Sequence, residues 1–207
     1  MAKEKITITS ERKREHVDIT LNKDITYRKT TGFEDIEFIH NALPEADFQK
    51  IDTSIRFLNR TLSFPFFIDS MTGGHGKAGG TNRRLSSAAQ ETKIAFSLGS
   101  IRAMIENPKL KETFAVREFA PDIPIIANIG AAQLTQMPHE NIISAVESLD
   151  ADAIQVHLNP LQEVLQPEGD RNFEGVEKSL SDFCRSCKFP VIAKETGAGF
   201  QGKLPSG

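Results

Sequence analysis

Hydrophobic positions along the chain gather into short, nearly unbroken runs separated by longer mixed stretches. The runs are Phe64-Pro65-Phe66-Phe67-Ile68, Ile94-Ala95-Phe96-Ser97-Leu98, Ile123-Pro124-Ile125-Ile126-Ala127, Ala153-Ile154-Gln155-Val156 and Pro190-Val191-Ile192-Ala193. Each carries β-branched or aromatic residues, the pattern of a strand covered on both faces. Between them, apolar positions recur at helical spacing: Leu85, Ala88 and Ala89 within Thr81 to Thr92, and Ile142, Ile143, Val146 and Leu149 within Glu140 to Leu149. Strands alternating with helices predict an α/β protein with a parallel sheet and right-handed crossovers. One strand begins roughly every 30 residues, the spacing of the units of a (β/α) barrel. The expected organisation is a polar N-terminal arm and leading segment over residues 1–63, a partial (β/α) barrel over residues 64–199, and an irregular tail over residues 200–207.

Polar residues concentrate where the runs end. The first run leads into Asp69-Ser70-Met71-Thr72-Gly73-Gly74-His75-Gly76, the second into Gly99-Ser100-Ile101-Arg102 and the third into Asn128-Ile129-Gly130. The fourth leads into His157-Leu158-Asn159-Pro160-Leu161-Gln162-Glu163, and the fifth into Lys194-Glu195-Thr196-Gly197. In α/β barrels the C-terminal ends of the strands are where chemistry is done. Glycines there let backbone N–H groups approach a flat ring or a phosphate. A lysine ending a buried strand, Lys194, needs an anion or an electron-rich ring beside it. Glu163 is a hard oxygen ligand of the kind Mg²⁺ takes, with waters and substrate phosphates completing the shell. The same stretch also reads as a helix start, with Asn159 as cap and Pro160 opening the first turn. His40 and His75 read as surface or packing residues.

Composition narrows the classes. With 207 residues, 39% hydrophobic and 26% charged, the chain can bury a sizeable core. A formal net charge of -3 gives no global pull toward nucleic acid or an anionic membrane. No apolar run reaches the ~18 residues of a membrane span, and Met1-Ala2-Lys3-Glu4-Lys5 lacks the apolar centre of a signal peptide, so the expected location is the cytoplasm. Cys184 and Cys187 form an isolated C-x-x-C. It is either a redox pair, half of a zinc site, or two reduced thiols near a helix end, and no second Cys or His pair accompanies it.

Taken together, Arg12-Lys13-Arg14-Glu15-His16, Phe38-Ile39-His40-Asn41-Ala42-Leu43-Pro44, Ser70-Met71-Thr72-Gly73-Gly74, Gly99-Ser100-Ile101-Arg102, Ala127-Asn128-Ile129-Gly130, the His157 to Glu163 cluster, Gln166-Pro167-Glu168-Gly169-Asp170-Arg171-Asn172-Phe173 and Lys194-Glu195-Thr196-Gly197 resemble type 2 isopentenyl-diphosphate isomerases in order and spacing. The resemblance implies a TIM (β/α)8 barrel that binds FMN and Mg²⁺. Its reaction is the reversible conversion of isopentenyl diphosphate to dimethylallyl diphosphate, with the flavin reduced by NADPH or NADH and no net redox change. It implies FMN contacts from Ser70, Met71, Thr72, Ser100, Asn128 and Lys194, and Mg²⁺ held by Glu163. It places Arg12, Lys13 and Arg102 on the diphosphate, with His16, His157 and Asn159 assisting. Gln162 is placed near the reacting carbons, so Gln162 and His157 are the expected catalytic side chains. No strand end offers an obvious protein acid/base pair for a hydrocarbon, in keeping with a flavin as the acid/base. The family's habit implies a homo-oligomer at full length.

Five strands fall short of the eight, and typically ~250 residues, of a closed barrel. The expectation is therefore an incomplete barrel of about five parallel strands, lacking the glycine-rich loops that hold the flavin phosphate in that family and exposing unpaired edges on its first and fifth strands. Two alternatives stand beside a piece of a working isomerase. One is a non-catalytic short product acting by association. The other is a different FMN barrel enzyme, such as a 2-hydroxy-acid oxidase, for which the Glu163 cluster and the basic arm fit less well.

Overall fold

The computed structural model describes residue 15 and residues 18–26, 28–30, 32–70, 72–76, 78–166, 169–197 and 199. Arg12, Lys13, His16 and Met71 of the expected site lie outside the described residues, as does the expected tail. The chain divides after Thr53 into two units. Among its described residues the first holds two 3₁₀ turns, Phe33–Asp35 and Phe48–Lys50. Asp47 caps the second, its carboxylate accepting from the Gln49 N–H at 3.0 Å.

The second unit opens with an antiparallel hairpin, β1 (Ile55–Phe57) and β2 (Arg60–Leu62). Leu58 and Asn59 join them with φ of 48° and 61°, both left-handed, as a two-residue hairpin turn matched to strand twist requires. There follow β3 (Phe67–Ile68), α1 (Ala78–Thr92), β4 (Ala95–Ser97), α2 (Arg102–Glu106), β5 (Ile125–Gly130) and α3 (His139–Ser148). The chain continues through β6 (Ala153–His157), α4 (Pro160–Leu165), α5 (Val176–Ser186) and β7 (Val191–Lys194). The last five strands form one parallel sheet in the order β3-β4-β5-β6-β7. Each strand thus pairs with the next one in sequence.

All five expected strands are present, but only β4 and β5 are buried throughout. β6 is buried up to His157. The expectation of burial on both faces fails for β3 and β7, which are the edges of the sheet and partly exposed. β3 is also shorter than its apolar run. Pro65 has no N–H to give a ladder, and Phe66 is 66% exposed. In α1 the helix starts ahead of Thr81, through Gly79 and Gly80, and Ala88 faces out. Its buried side is Ala78, Gly79, Asn82, Ser86 and Ala89.

The two faces of the sheet differ in chemistry. Phe96 and Leu98, then Ile125, Ala127 and Ile129, then Ile154 and Val156 alternate onto one face and join Phe114, Ile142, Val146 and Phe183 in a single apolar core. Burying side chains of this size contributes roughly 1.5–3 kcal/mol each. The period of two puts Ser97, Asn128, Gln155, His157 and Lys194 on the other face. That face is concave. Lys194 Nζ, at the end of the fifth strand in the sheet, lies 3.2 Å from Asp69 Oδ2, just past the end of the first. In a flat sheet the two would stand about 19 Å apart, at ~4.8 Å per strand, far beyond the combined reach of these side chains. The sheet therefore curls as a half-barrel around its polar face.

Candidate functional site at the strand ends

The curl brings the strand ends into one polar floor. Gln155 is 1% exposed in the middle of β6. Its Nε2 donates to Asp69 Oδ1 at 3.0 Å and to the Ser70 hydroxyl. Ser70 Oγ is also 3.0 Å from Ser97 Oγ. Asp69 further accepts from the Ser70 N–H and pairs with Lys194. Burial alone would raise the Asp69 carboxyl, but Gln155, the Ser70 N–H and Lys194 together hold it below its ordinary value. The charge of Lys194 is thus met first by the protein's own Asp69.

Beside this floor, Asn128 and His157 form a pair. Asn128 is 2% exposed, and its Oδ1 lies 3.0 Å from His157 Nδ1. A carboxamide oxygen only accepts, so Nδ1 carries the proton and Nε2 the lone pair. A Cβ at Gly130 would sit 2.1 Å from Gln133 Oε1 and 3.0 Å from that Nε2, so glycine makes room for both side chains. Burial, and then the nearby Lys194 charge, push the His157 pKa down to about 4, against the pull of Asp69. His157 is therefore a neutral acceptor near pH 7. The unfolded chain takes up this proton first, near the ordinary value of 6.5, so the stability it confers is complete above that pH and drains away as the pH falls toward 4. Urea midpoints measured between pH 7 and pH 4 should fall with a steeper slope for the wild type than for His157→Gln. Equal slopes would mean that His157 is not held neutral.

The other Asn128 amide atom, Nδ2, is buried and has no hydrogen-bond partner. A buried donor without an acceptor is costly and calls for an explanation. An acceptor atom on a flat heteroaromatic ring, seated over the strand ends, supplies one. The floor thus fits a flavin at Asn128, with Ser70 and Lys194 along the same face. Thr72 follows β3 with Oγ1 3.2 Å from His75 Nε2, and Ser100 follows β4 one residue before Ile101, whose N–H donates to the Asn128 carbonyl.

A cavity of about 320 Å³ adjoins the pair, lined in part by Gly130, His157, Asn159, Phe173, Glu163 and Glu195. Asn159 does cap α4, as its sequence predicts: its Oδ1 accepts from the Gln162 N–H and Pro160 opens the first turn. The cap and the cavity wall coexist in one residue. Asn159 Nδ2 donates to Gln162 Oε1 at 2.6 Å, holding the exposed Gln162 carboxamide against the cap. Glu163 Oε2 accepts from the Asp170 N–H at 3.0 Å. Among the described residues no group of three or more His, Cys, Asp or Glu stands ready for a metal. The lone Glu163 carboxylate fits a Mg²⁺ whose shell is completed by water and phosphate oxygens. Arg102 is held by Glu106 through Nε at 2.9 Å and by Asp170 through Nη1 at 3.0 Å. Burial works to lower its pKa, but these two carboxylates keep it raised.

Asp69, Ser97, Gln155 and Asp170 are site residues that sequence reasoning did not single out. For Gln155 the signal was present, as a carboxamide inside an otherwise apolar strand. Cys184 and Cys187 are free thiols in and just beyond α5, and burial pushes the Cys187 thiol up. They read as structural.

Chemistry-bearing side chains at the C-terminal ends of consecutive parallel strands, with an apolar core on the opposite face, are the arrangement of a strand-end site in an α/β fold. No family model matches the chain. Among curated proteins, it is 50% identical over 197 residues to an isopentenyl-diphosphate delta-isomerase of Archaeoglobus fulgidus, covering 95% of this chain and 57% of that protein. Proteins of the same name from Rickettsia felis (46% over 195 residues, 94% of this chain and 56% of that protein) and Pyrococcus horikoshii (44% over 205 residues, 95% and 55%) match comparably. The chain belongs to the isopentenyl-diphosphate delta-isomerase family. It spans about half the length of the curated relatives it matches. Among solved structures, a universal stress protein from Archaeoglobus fulgidus aligns with a TM-score of 0.24 and 14% identity over 61% of this chain and 96% of that one, too low to bear on the fold. Among the described residues no helix is long and apolar enough to cross a membrane.

Proposed function

We propose that this chain supplies five consecutive units of the TIM barrel of an FMN-dependent, type 2 isopentenyl-diphosphate isomerase. In this reading it interconverts isopentenyl diphosphate and dimethylallyl diphosphate in the cytoplasm with Mg²⁺, as a homo-oligomer at full length. The reaction class is supported by the name its relatives share. The observation that carries the site is the buried, acceptor-less Nδ2 of Asn128 beside a neutral His157. Reduced FMN, regenerated by NADPH or NADH, would supply the acid/base for the allylic proton. The residues of this chain do the rest. Asn128 and Ser70 orient the ring from the concave face, and Lys194, steadied by Asp69, sets a positive charge beside it. Glu163 holds Mg²⁺ at the cavity wall and Arg102 meets the diphosphate. His157 Nε2 accepts a hydrogen bond from bound substrate or cofactor, and Gln162, held against the Asn159 cap, serves the substrate's reacting carbons.

Titration of the chain with FMN, followed by quenching of flavin fluorescence, tests this. Saturable binding that weakens at least tenfold in Asn128→Ala and in Lys194→Ala is expected. Absence of binding up to roughly millimolar FMN, only ~4 kcal/mol of affinity, would overturn the reading for this chain.

A further inference from the structure

Asp170 joins more of the site than any residue the reaction itself requires. Its Oδ2 accepts from Arg102 Nη1 at 3.0 Å and from Gln133 Nε2 at 2.6 Å, and its Oδ1 accepts from Gln136 Nε2 at 3.0 Å. Its own N–H donates to Glu163 Oε2 at 3.0 Å. Three segments meet here: α2 through Arg102, the 3₁₀ turn Ala131–Thr135 with its C-cap through Gln133 and Gln136, and α4 through Glu163. Gln133 is 2% exposed, and the Asp170 side chain 18% exposed. Gly169 seats the loop, because a Cβ there would fall 1.9 Å from the Glu163 carbonyl oxygen. No side chain larger than hydrogen lets the Asp170 N–H come so close to α4.

We infer that Asp170 is a positioning residue that sets the Arg102 guanidinium and the Glu163 carboxylate as one unit for a Mg²⁺-diphosphate group. This rests on the reading that Arg102 and Glu163 serve those two charges. Arg102 has five N–H donors in a planar fork. With Nε on Glu106 and Nη1 on Asp170, the plane of the fork is fixed, and its remaining N–H groups face a phosphate without a rotamer search. Glu163, receiving the Asp170 N–H on Oε2, would have Oε1 left to hold the ion. Outer groups that orient a metal's ligands typically matter 10- to 100-fold in affinity.

Calorimetric titration of the 207-residue chain with inorganic pyrophosphate, with and without Mg²⁺, separates the roles. In the wild type Mg²⁺ should tighten pyrophosphate binding, and Glu163→Gln should erase that gain while leaving the Mg²⁺-free affinity. Asp170→Asn, titrated under conditions where its urea curve shows it fully folded, should lose both, at least tenfold in total. A purely structural role would lower the midpoint and leave both affinities of the folded variant at the wild-type value. Gln136→Ala, which removes one exposed anchor of Asp170, should give a smaller loss in the same two affinities. Wild-type affinity in both Asp170→Asn and Gln136→Ala would overturn the inference and leave the diphosphate reading intact. Failure of the wild type to bind pyrophosphate with Mg²⁺ would overturn both.

Discussion

Asp152→Ala should lower stability by about 3 kcal/mol, a drop in the thermal midpoint of roughly 6–12 °C for a chain of this size. Asp152 stands just before β6, at the end of the sheet away from the candidate site. Its Oδ2 accepts from Arg117 Nη2 at 2.6 Å and from the Ile125 N–H at 2.8 Å, and its Oδ1 pairs with Arg60 Nη2 at 3.3 Å. One carboxylate therefore fastens the start of β5, the β1–β2 hairpin and the 3₁₀ turn Arg117–Phe119 to the start of β6. Arg117 in turn donates to the carbonyls of Ala120 and Ile123 at 2.9 Å and of Asp150 at 2.7 Å. Removing the carboxylate leaves the completely buried Ile125 N–H without its acceptor and a guanidinium, 19% exposed, with only the exposed Asp150 carboxylate, 3.4 Å from its Nε, as a charge partner. Losses of that kind exceed the worth of the pair itself. Asp182→Ala is the control. Asp182 pairs with Lys178 and Arg185 at the surface, where solvent screens such contacts, and its loss should leave the midpoint unchanged. Equal midpoints for wild type and Asp152→Ala would mean that the sheet's lower rim is held by its core alone.

What could be read from the amino-acid order divides along the same lines. β4, β5 and β6 were legible because burial on both faces leaves little room for anything but apolar residues, and the polar residues that interrupt them mark the concave side. The β1–β2 hairpin was not. Its strands are three residues long, and its turn, Leu58-Asn59, lacks the glycine that announces such turns. The N-terminal turn of α1 was hidden by Gly79 and Gly80, weak helix formers that packing overrides. Within the site, Asn128 and His157 stood out because each directly follows an apolar run, and Glu163 because it is a hard oxygen ligand in the polar cluster behind the fourth run. The Asp69–Lys194 pair could not be seen, since it depends on the curl of the whole sheet rather than on spacing along the chain. Asp170 was present only as one letter of a longer motif. Its role lies in partners drawn from three separate segments, which local pattern does not reveal.

Glycines at the strand ends give the second large effect, and they separate close packing from conformational need. Gly99 follows β4, and a Cβ there would lie 2.5 Å from the Thr72 carbonyl oxygen and 2.6 Å from the Thr72 carbonyl carbon. The obstacle is backbone, so no side chain can swing aside. Thr72 must move, and its carbonyl is also the acceptor for Asn82 Nδ2 at 3.1 Å. Asn82 is 1% exposed and its Oδ1 already lacks a partner, so the shift leaves a buried amide with only its Nδ2 bond to the Thr113 carbonyl at 2.8 Å. Gly99→Ala should therefore cost roughly 2–4 kcal/mol from overpacking and a weakened buried hydrogen bond. Gly80 provides the opposite case. It lies within α1, a Cβ there meets nothing within 4 Å, and its φ is not left-handed. Gly80→Ala should stabilise the chain by about 0.5–1 kcal/mol, through the helix preference of alanine. Urea midpoints of the two variants should move in opposite directions from the wild type. If both rose, Thr72 would be yielding freely to a methyl group, and the loop after β3 would not be packed backbone to backbone against the end of β4. The fixed placement of Ser70 and Thr72 after β3, on which the cofactor reading relies, would then lose its physical basis.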